Sequence, residues 1–426
     1  MEIRPLTGEV ILPGDKSLSH RAAMFSCLAS QDSTFSNISL GGDVKSTVDI
    51  LNRLGAKISF DGDVLRTKSG GLKSLHGKDL ELDCGNSGTT LRLLTGLLSG
   101  QDVHNVSLVG DGSLSKRPHD RVIDPLSSLG VDIKGRDGCY TPVVINQSRP
   151  LGGRITMKVA SAQVKSSVLL CGLYSNNPTT VIERKLTRNH TELMLKAMGV
   201  DIEVQETTRG LEITINPPQD QLKGFDANIP GDPSSAAFFG VAAAIIPGSD
   251  VVIKSVLLNP TRIGWVEVLR KMGTNVETKQ TGTELGESVG DIRVRYSQLT
   301  PVDISSDIST MVDELPVLAL AMASAPGKSC VSNADELRVK ESDRISLVVQ
   351  HLNGAGITTT EQTDGYSIYG GTLGHVEVSP QGDHRIAMTF AISNYLSTGD
   401  LDKTHLDIIS TSFPTFFDKF YNLIGS

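Results

Sequence analysis

Seven residues, Arg338-Val339-Lys340-Glu341-Ser342-Asp343-Arg344, put three cations and two carboxylates into one short stretch. In a helix, Lys340 and Arg344 would stand at i and i+4 on one face, where like charges repel by roughly a few tenths of a kcal/mol. A bound anion would offset that repulsion, and Glu341 beside it could move a proton. Taken alone, the stretch reads more readily as a solvated, charged helix start. Similar constructions recur along the chain, however.

In Asp15-Lys16-Ser17-Leu18-Ser19-His20-Arg21, a helix beginning at Ser17 would bring Lys16, Ser17 and Arg21 together at its N-terminus. Exposed N–H groups and cations there suit a phosphate or carboxylate. In Cys84-Gly85-Asn86-Ser87-Gly88-Thr89-Thr90, small residues let backbone N–H groups approach an anion. The Gly/Ser loop 110–118 carries Lys116 and Arg117, which no packing need explains, and reads as a mobile basic lid. Ser161 and Gln163, at a helix start over 160–167, are neutral hydrogen-bonding groups suited to hydroxyls. Arg188 and His190 are weaker candidates. Asp383-His384-Arg385 sets another arginine at another helix start. Asp313 has apolar neighbours in sequence, so desolvation would raise its pKa and suit it to base work. Each segment has an ordinary alternative: a capped helix, a Gly-rich turn, an exposed loop, or a cap before Pro316. Together their cations are too many for one phosphate and point to two anionic ligands in one cleft. No metal-ligand spacing or cofactor fingerprint accompanies them, so no cofactor is expected.

Composition narrows the classes. A chain of 426 residues exceeds one typical hydrophobic core. A net charge of −8 argues against nucleic-acid or anionic-membrane partners, and 4% aromatic content against base-stacking surfaces. Five scattered cysteines support neither a disulfide framework nor a zinc site. The first residues show no signal segment, and the apolar run 236–247 is too short to span a bilayer. A reduced, cytoplasmic protein is expected.

The elements that must position these residues repeat. An apolar helix end, a glycine and a short alternating strand recur around Gly55, Gly130, Gly199 and Gly273, and more weakly around Gly356. A sixth helix end closes the chain at Gly425 without its strand. Each glycine fits the left-handed position after a helix. Helices are predicted over 43–54, 121–129, 191–198 and 262–272, with strands over 57–60, 131–134 and 201–204. Six α+β units imply two domains of three. Pro13-Gly14-Asp15 returns as Pro230-Gly231-Asp232, matching two hinge strands near 12–15 and 229–232. One domain would then be continuous, 15–228, and the other assembled from 1–14 and 229–426.

The ordered set 13–21, 85–89, 116–118, 161–166, 337–344 and 383–385 closely resembles the 5-enolpyruvylshikimate-3-phosphate synthase family, in its class II form. The resemblance implies an α/β fold of two inside-out, barrel-like domains, each of three repeated units, joined by two hinge strands. It implies transfer of the enolpyruvyl group of phosphoenolpyruvate to the 5-hydroxyl of shikimate 3-phosphate. The path runs through a tetrahedral intermediate with loss of phosphate, and the family needs no metal or organic cofactor. By motif match, Lys16 touches both substrates. Ser17, Arg21, Ser161, Ala162, Gln163, Arg188, Asp313 and Lys340 hold shikimate 3-phosphate. Asn86, Gly88, Thr89, Arg117, Gln163, Arg344, His384 and Arg385 hold phosphoenolpyruvate. Asp313 deprotonates the attacking hydroxyl and Glu341 moves the methylene proton, with Lys16 assisting. A monomer is expected, with no nucleic-acid or membrane partner.

Two positions depart from one branch: Thr411 replaces a lysine contacting phosphoenolpyruvate, and Ala162 replaces a second serine. Some glyphosate-tolerant members carry Ala at the position matched by Gly88, where its methyl crowds the inhibitor; this chain keeps Gly. The alternative within the architecture is enolpyruvyl transfer to a UDP-sugar. That family has a reactive cysteine in the loop matched by 110–118, which here has none. A non-catalytic small-anion-binding protein is the other alternative, and Asp313 and Glu341 argue against it.

Overall fold

The computed structural model describes residues 3–425, so residues 1, 2 and 426 of the expected discontinuous domain lie outside the described residues. The chain divides into two units. One comprises Gly14–Ile229 with Glu284–Glu287; the other comprises the segment ending at Pro13, Pro230–Thr283 and the chain from Ser288 onward. The sequence reading keeps 284–287 with the rest of 229–426; this tip of a strand pair instead groups with the continuous unit.

The continuous unit holds three four-stranded sheets of one design. Their strand orders are Asp226–Asn228, Ser33–Ser36, Val64–Lys68, Lys57–Asp61; then Glu81–Asp83, Val106–Val109, Tyr140–Ile145, Ile133–Arg136; then Gly153–Thr156, Thr179–Glu183, Gly210–Ile215, Ile202–Thr207. In each, the first two strands are parallel and the remaining pairs antiparallel. The helices Lys16–Ser26, Gly88–Leu98 and Ala162–Gly172 are buried almost all round, whereas the outer strands bury few residues. Helices therefore fill the middle of this unit and sheets face outward. Close packing enforces small residues: a Cβ at Gly96 would meet the Ser167 carbonyl oxygen at 1.9 Å.

The other unit holds two sheets with the same order, built on Thr7–Ile11 beside Asp250–Leu257 and on Asp303–Ile304 beside Lys328–Val331. Its buried helices are Pro233–Ile245, Leu315–Ala323 and His384–Thr398. The third repeat differs: no described residue after Tyr369 lies in a strand, and the helices Leu406–Ser410 and Phe416–Ile424 follow instead. An aromatic cluster packs it. Phe239 meets Phe413, Phe416 and Phe420, and Tyr395 meets Phe420, with ring centroids 5.3–6.2 Å apart. The apolar run 236–247 falls largely in Pro233–Ile245, and no described helix is long and apolar enough to cross a membrane.

The repeated glycines do what their positions require. Gly55, Gly130, Gly199, Gly273 and Gly356 have φ between 84° and 95°, the left-handed conformation after a helix. Gly425 has φ −91° and makes no such turn. The two Pro-Gly-Asp segments each end in a helix cap: Asp15 Oδ1 accepts from Leu18 N, and Asp232 Oδ1 from Ser234 N, both at 2.7 Å.

Backbone conformation and crowding separate cleanly at two glycines that have open space around them. Gly199→Ala should lower stability by about 1–2 kcal/mol, since a Cβ resists φ +95°. Gly42→Ala, in the first turn of the helix Gly42–Arg53, should be neutral or stabilise by about 0.4–1 kcal/mol. Urea denaturation of both variants checks the contrast.

Candidate active site

In the continuous unit, the first helix starts at Lys16, one residue earlier than expected, because Asp15 caps it. Lys16 Nζ forms an ion pair with the Asp43 carboxylate. One turn on, Arg21 is 3% exposed. Its Nη1 donates to the Ser17 carbonyl oxygen at 3.0 Å, Nε to Thr191 Oγ1 at 2.8 Å and Nη2 to Ser166 Oγ at 2.8 Å. Burial pulls its pKa down to about 10, against the nearby charges of Glu192 and Asp15. Arg188 is half-buried in the segment before the helix His190–Ala197.

The glycine-rich segment turns into the helix Gly88–Leu98, capped by Ser87, which accepts from Thr90 N at 3.1 Å. Arg117 Nη2 donates to Asn86 Oδ1 at 3.0 Å, so the second and third sequence candidates meet. The expected mobile lid is instead tied down: Asp111 Oδ1 accepts from Ser113 N at 2.9 Å and Leu114 N at 2.8 Å, and a short 3-10 turn covers Leu114–Lys116. Ser161 caps the helix Ala162–Gly172. From its first turn, Gln163 Nε2 donates to Thr89 Oγ1 at 2.9 Å, and Gln163 Oε1 accepts from Arg92 Nη1 at 2.5 Å.

In the other unit, Arg344 is fully buried and surrounded by carboxylates. Nε donates to Asp383 Oδ2 at 2.8 Å, Nη1 to Asp313 Oδ1 at 3.2 Å and Nη2 to Glu341 Oε2 at 2.6 Å. Arg385 Nη1 donates to the Asp313 carbonyl oxygen at 3.2 Å, and Lys340 Nζ lies 3.6 Å from Asp313 Oδ1. Burial alone would raise the Glu341 carboxyl; Arg344, with His384 and Arg385, instead holds it well below the ordinary carboxylate range. Burial likewise opposes, and Arg344 overcomes, the charging of Asp383. Arg344 itself is held protonated against its burial by Glu341, Asp383 and Asp313.

Three expectations change here. Lys340 and Arg344 do not share a helix: the 3-10 segment Asp335–Val339 ends before them, and Asp343 caps a new helix, Arg344–Gly354, by accepting from Ser346 N at 3.1 Å. Their repulsion is offset by Asp313, Glu341 and Asp383. Asp313 does not sit in an apolar environment, since Arg344, Lys340 and Arg385 all lie within 4.0 Å of its carboxylate. Nor does it cap the following helix, whose N-cap position is Glu314. Thr411 is exposed and donates to the Ile408 carbonyl oxygen at 2.7 Å.

Sequence reasoning named Asp383 without giving it a role, and it missed Arg92. Asp383 accepts from Arg385 N at 2.9 Å and Ser342 Oγ at 2.9 Å, so it caps one helix while anchoring Arg344. An Asp directly before a helix was the available signal. Arg92 is the only charged residue in a leucine-rich helix, a signal equally visible in the chain.

Cations and carboxylates gathered at helix starts suit a protein that handles anions. The chain belongs to the EPSP synthase (3-phosphoshikimate 1-carboxyvinyltransferase) family, whose model matches residues 1–420. It is 45% identical over 415 residues to the 3-phosphoshikimate 1-carboxyvinyltransferase of Xylella fastidiosa (strain 9a5c), covering 97% of this chain and 90% of that one. It is 42% identical over 423 residues to that of Synechococcus sp. (strain WH7803), covering 98% and 96%. The fold matches EPSP synthase from Acinetobacter baumannii with TM-score 0.89 at 34% identity, covering 99% of this chain and 96% of that one. The enolpyruvyl transferase NikO from Streptomyces tendae, at TM-score 0.75 and 18% identity, shares the fold. Enolpyruvyl transfer from phosphoenolpyruvate to shikimate 3-phosphate is the activity this membership carries.

Asp383→Asn should cost about 3–5 kcal/mol, because it leaves buried Arg344 short of a carboxylate. The folded-state pKa values of Asp383 and Glu341 are depressed, so both stabilise the fold above their unfolded values near pH 4. That contribution is lost as pH falls toward their folded values. Denaturation measured from pH 7 to pH 3 should fall less steeply in Asp383→Asn than in the parent.

Proposed function

We propose that Asp313 and Glu341 carry the proton transfers of enolpyruvyl transfer to shikimate 3-phosphate. The observation supporting this is that both carboxylates hydrogen-bond one buried guanidinium, Arg344, with Arg385 and Lys340 beside them.

Asp313 takes the proton of the 5-hydroxyl as its oxygen bonds to C2 of phosphoenolpyruvate. The carbon–carbon π pair then takes a proton at the methylene carbon, delivered by Glu341 with Lys16 assisting. In the tetrahedral intermediate, the C2–O bond to phosphate breaks, phosphate leaves with the proton that Asp313 had taken, and Glu341 removes a methyl proton to restore the double bond. At rest Glu341 is held ionised, which suits the last step and not the first. An incoming carboxylate that takes over Arg344 and Arg385 would release Glu341 and restore its proton affinity. Substrate binding thereby prepares the acid.

Within the same proposal, Ser17, Arg21, Ser161, Ala162, Gln163, Arg188 and Lys340 hold shikimate 3-phosphate. Asn86, Gly88, Thr89, Arg117, Gln163, His384 and Arg385 join Arg344 in holding phosphoenolpyruvate. The location is proposed as cytoplasmic, in keeping with five free cysteines. The protein is proposed as a monomer, which light scattering would show at 45.5 kDa.

Asp313→Ala and Glu341→Ala should each lower turnover by about 10²–10⁴-fold while weakening shikimate 3-phosphate binding far less. Phosphate-release kinetics with calorimetric titration measures both quantities. Near-normal turnover in either variant removes that residue from its role.

A further inference from the structure

Arg92 is 5% exposed, and its Nε is buried without a hydrogen-bond partner. Among the described residues no carboxylate pairs with it. The charges that act on it are Arg121 and Arg117, and with burial, the larger cause, they pull its pKa down to about 9. Its Nη1 donates to Gln163 Oε1, while Gln163 Nε2 donates to Thr89 Oγ1. Gly88 lies against the same guanidinium: a Cβ there would be 2.8 Å from Nη1, 3.2 Å from Cζ and 3.4 Å from Nη2.

We infer that Arg92 is a positioning residue that locks the Gln163 amide over the Gly88–Thr89 turn, and that Gly88 must lack a side chain to leave the guanidinium in place. The inference rests on the proposal that Gln163, Gly88 and Thr89 contact phosphoenolpyruvate. Hydrogen-bond polarity supports it. A guanidinium only donates, so it fixes the carbonyl end of the amide toward itself and the NH₂ end toward Thr89. A flipped amide would set donors against donors. Packing does not explain the charge, because an apolar side chain of similar length would fill the space without burying an unpaired cation. An anion bound near the turn would supply the missing counter-charge. The geometry also redirects the effect expected of a methyl at position 88. Such a methyl meets Arg92 within the protein, so it disturbs Gln163 whatever ligand is bound.

The test compares Arg92→Met, Arg92→Lys, Gly88→Ala and the double variant Gly88→Ala/Arg92→Met with the parent chain. Arg92→Met should raise KM for phosphoenolpyruvate by about 10- to 100-fold, as for loss of a charged hydrogen bond, with kcat changing less and Tm held or raised. Arg92→Lys should recover part of that loss. The KM penalty of Gly88→Ala should shrink several-fold in the Arg92→Met background, since the clashing group is gone. The Gln163 side-chain amide signals, assigned with Gln163→Ala, should shift in Arg92→Met and in Gly88→Ala without any ligand. A KM within about 2-fold of the parent in Arg92→Met, an undiminished Gly88→Ala penalty in the double variant, or unmoved amide signals would overturn the inference. Absence of phosphate release in the parent chain would instead sink the enolpyruvyl-transfer proposal, and the amide signals would still decide the role of Arg92.

Discussion

One buried guanidinium holds half of the candidate site together. Arg344 has no solvent exposure, and a buried charge is tolerated only when paired and fully hydrogen-bonded. Its partners come from three separate segments: Asp313 before the helix Leu315–Ala323, Glu341 in the turn after Asp335–Val339, and Asp383 at the head of His384–Thr398. The last of these also satisfies backbone N–H groups of its own helix, so charge pairing and helix capping share one carboxylate. The repeat architecture matters here because it delivers helix starts, with their unsatisfied donors, to the same place.

Within the continuous unit the electrostatics run the other way. Arg21 and Arg92 are buried with neutral hydrogen-bond partners, and Arg117 bonds Asn86 and Ser113. Lys16 pairs with the Asp43 carboxylate, and buried Lys165 with Glu183 and Glu192. In the continuous unit Arg21, Arg92 and Arg117 thus bond neutral groups, whereas in the other unit Arg344 bonds carboxylates.

Much of this was legible in the chain. The repeated helix–glycine–strand phrase correctly marked five left-handed turns, because a tight exit from a helix leaves few residue types able to adopt it. Asn86 joins Arg117, and Thr89 joins Gln163, among residues that the family resemblance assigned to one ligand. What failed depended on tertiary context. Helical spacing could not show that Asp343 breaks the segment between Lys340 and Arg344. Apolar neighbours of Asp313 in sequence said nothing of the three cations around it in space. The sixth repeat shows no strand among its described residues and packs through a phenylalanine cluster that no periodicity encodes. Arg92 escaped notice because it lies inside an apolar helix and belongs to no glycine-rich or basic motif.

The measurement that bears most directly on the central claim is phosphate release from phosphoenolpyruvate with each candidate acceptor in turn. The purified chain is supplied with shikimate 3-phosphate or with UDP-N-acetylglucosamine, and the enolpyruvyl product is identified by mass. The account predicts release and product with shikimate 3-phosphate alone, and no release with the sugar nucleotide. Release with UDP-N-acetylglucosamine, or with neither acceptor, would contradict it.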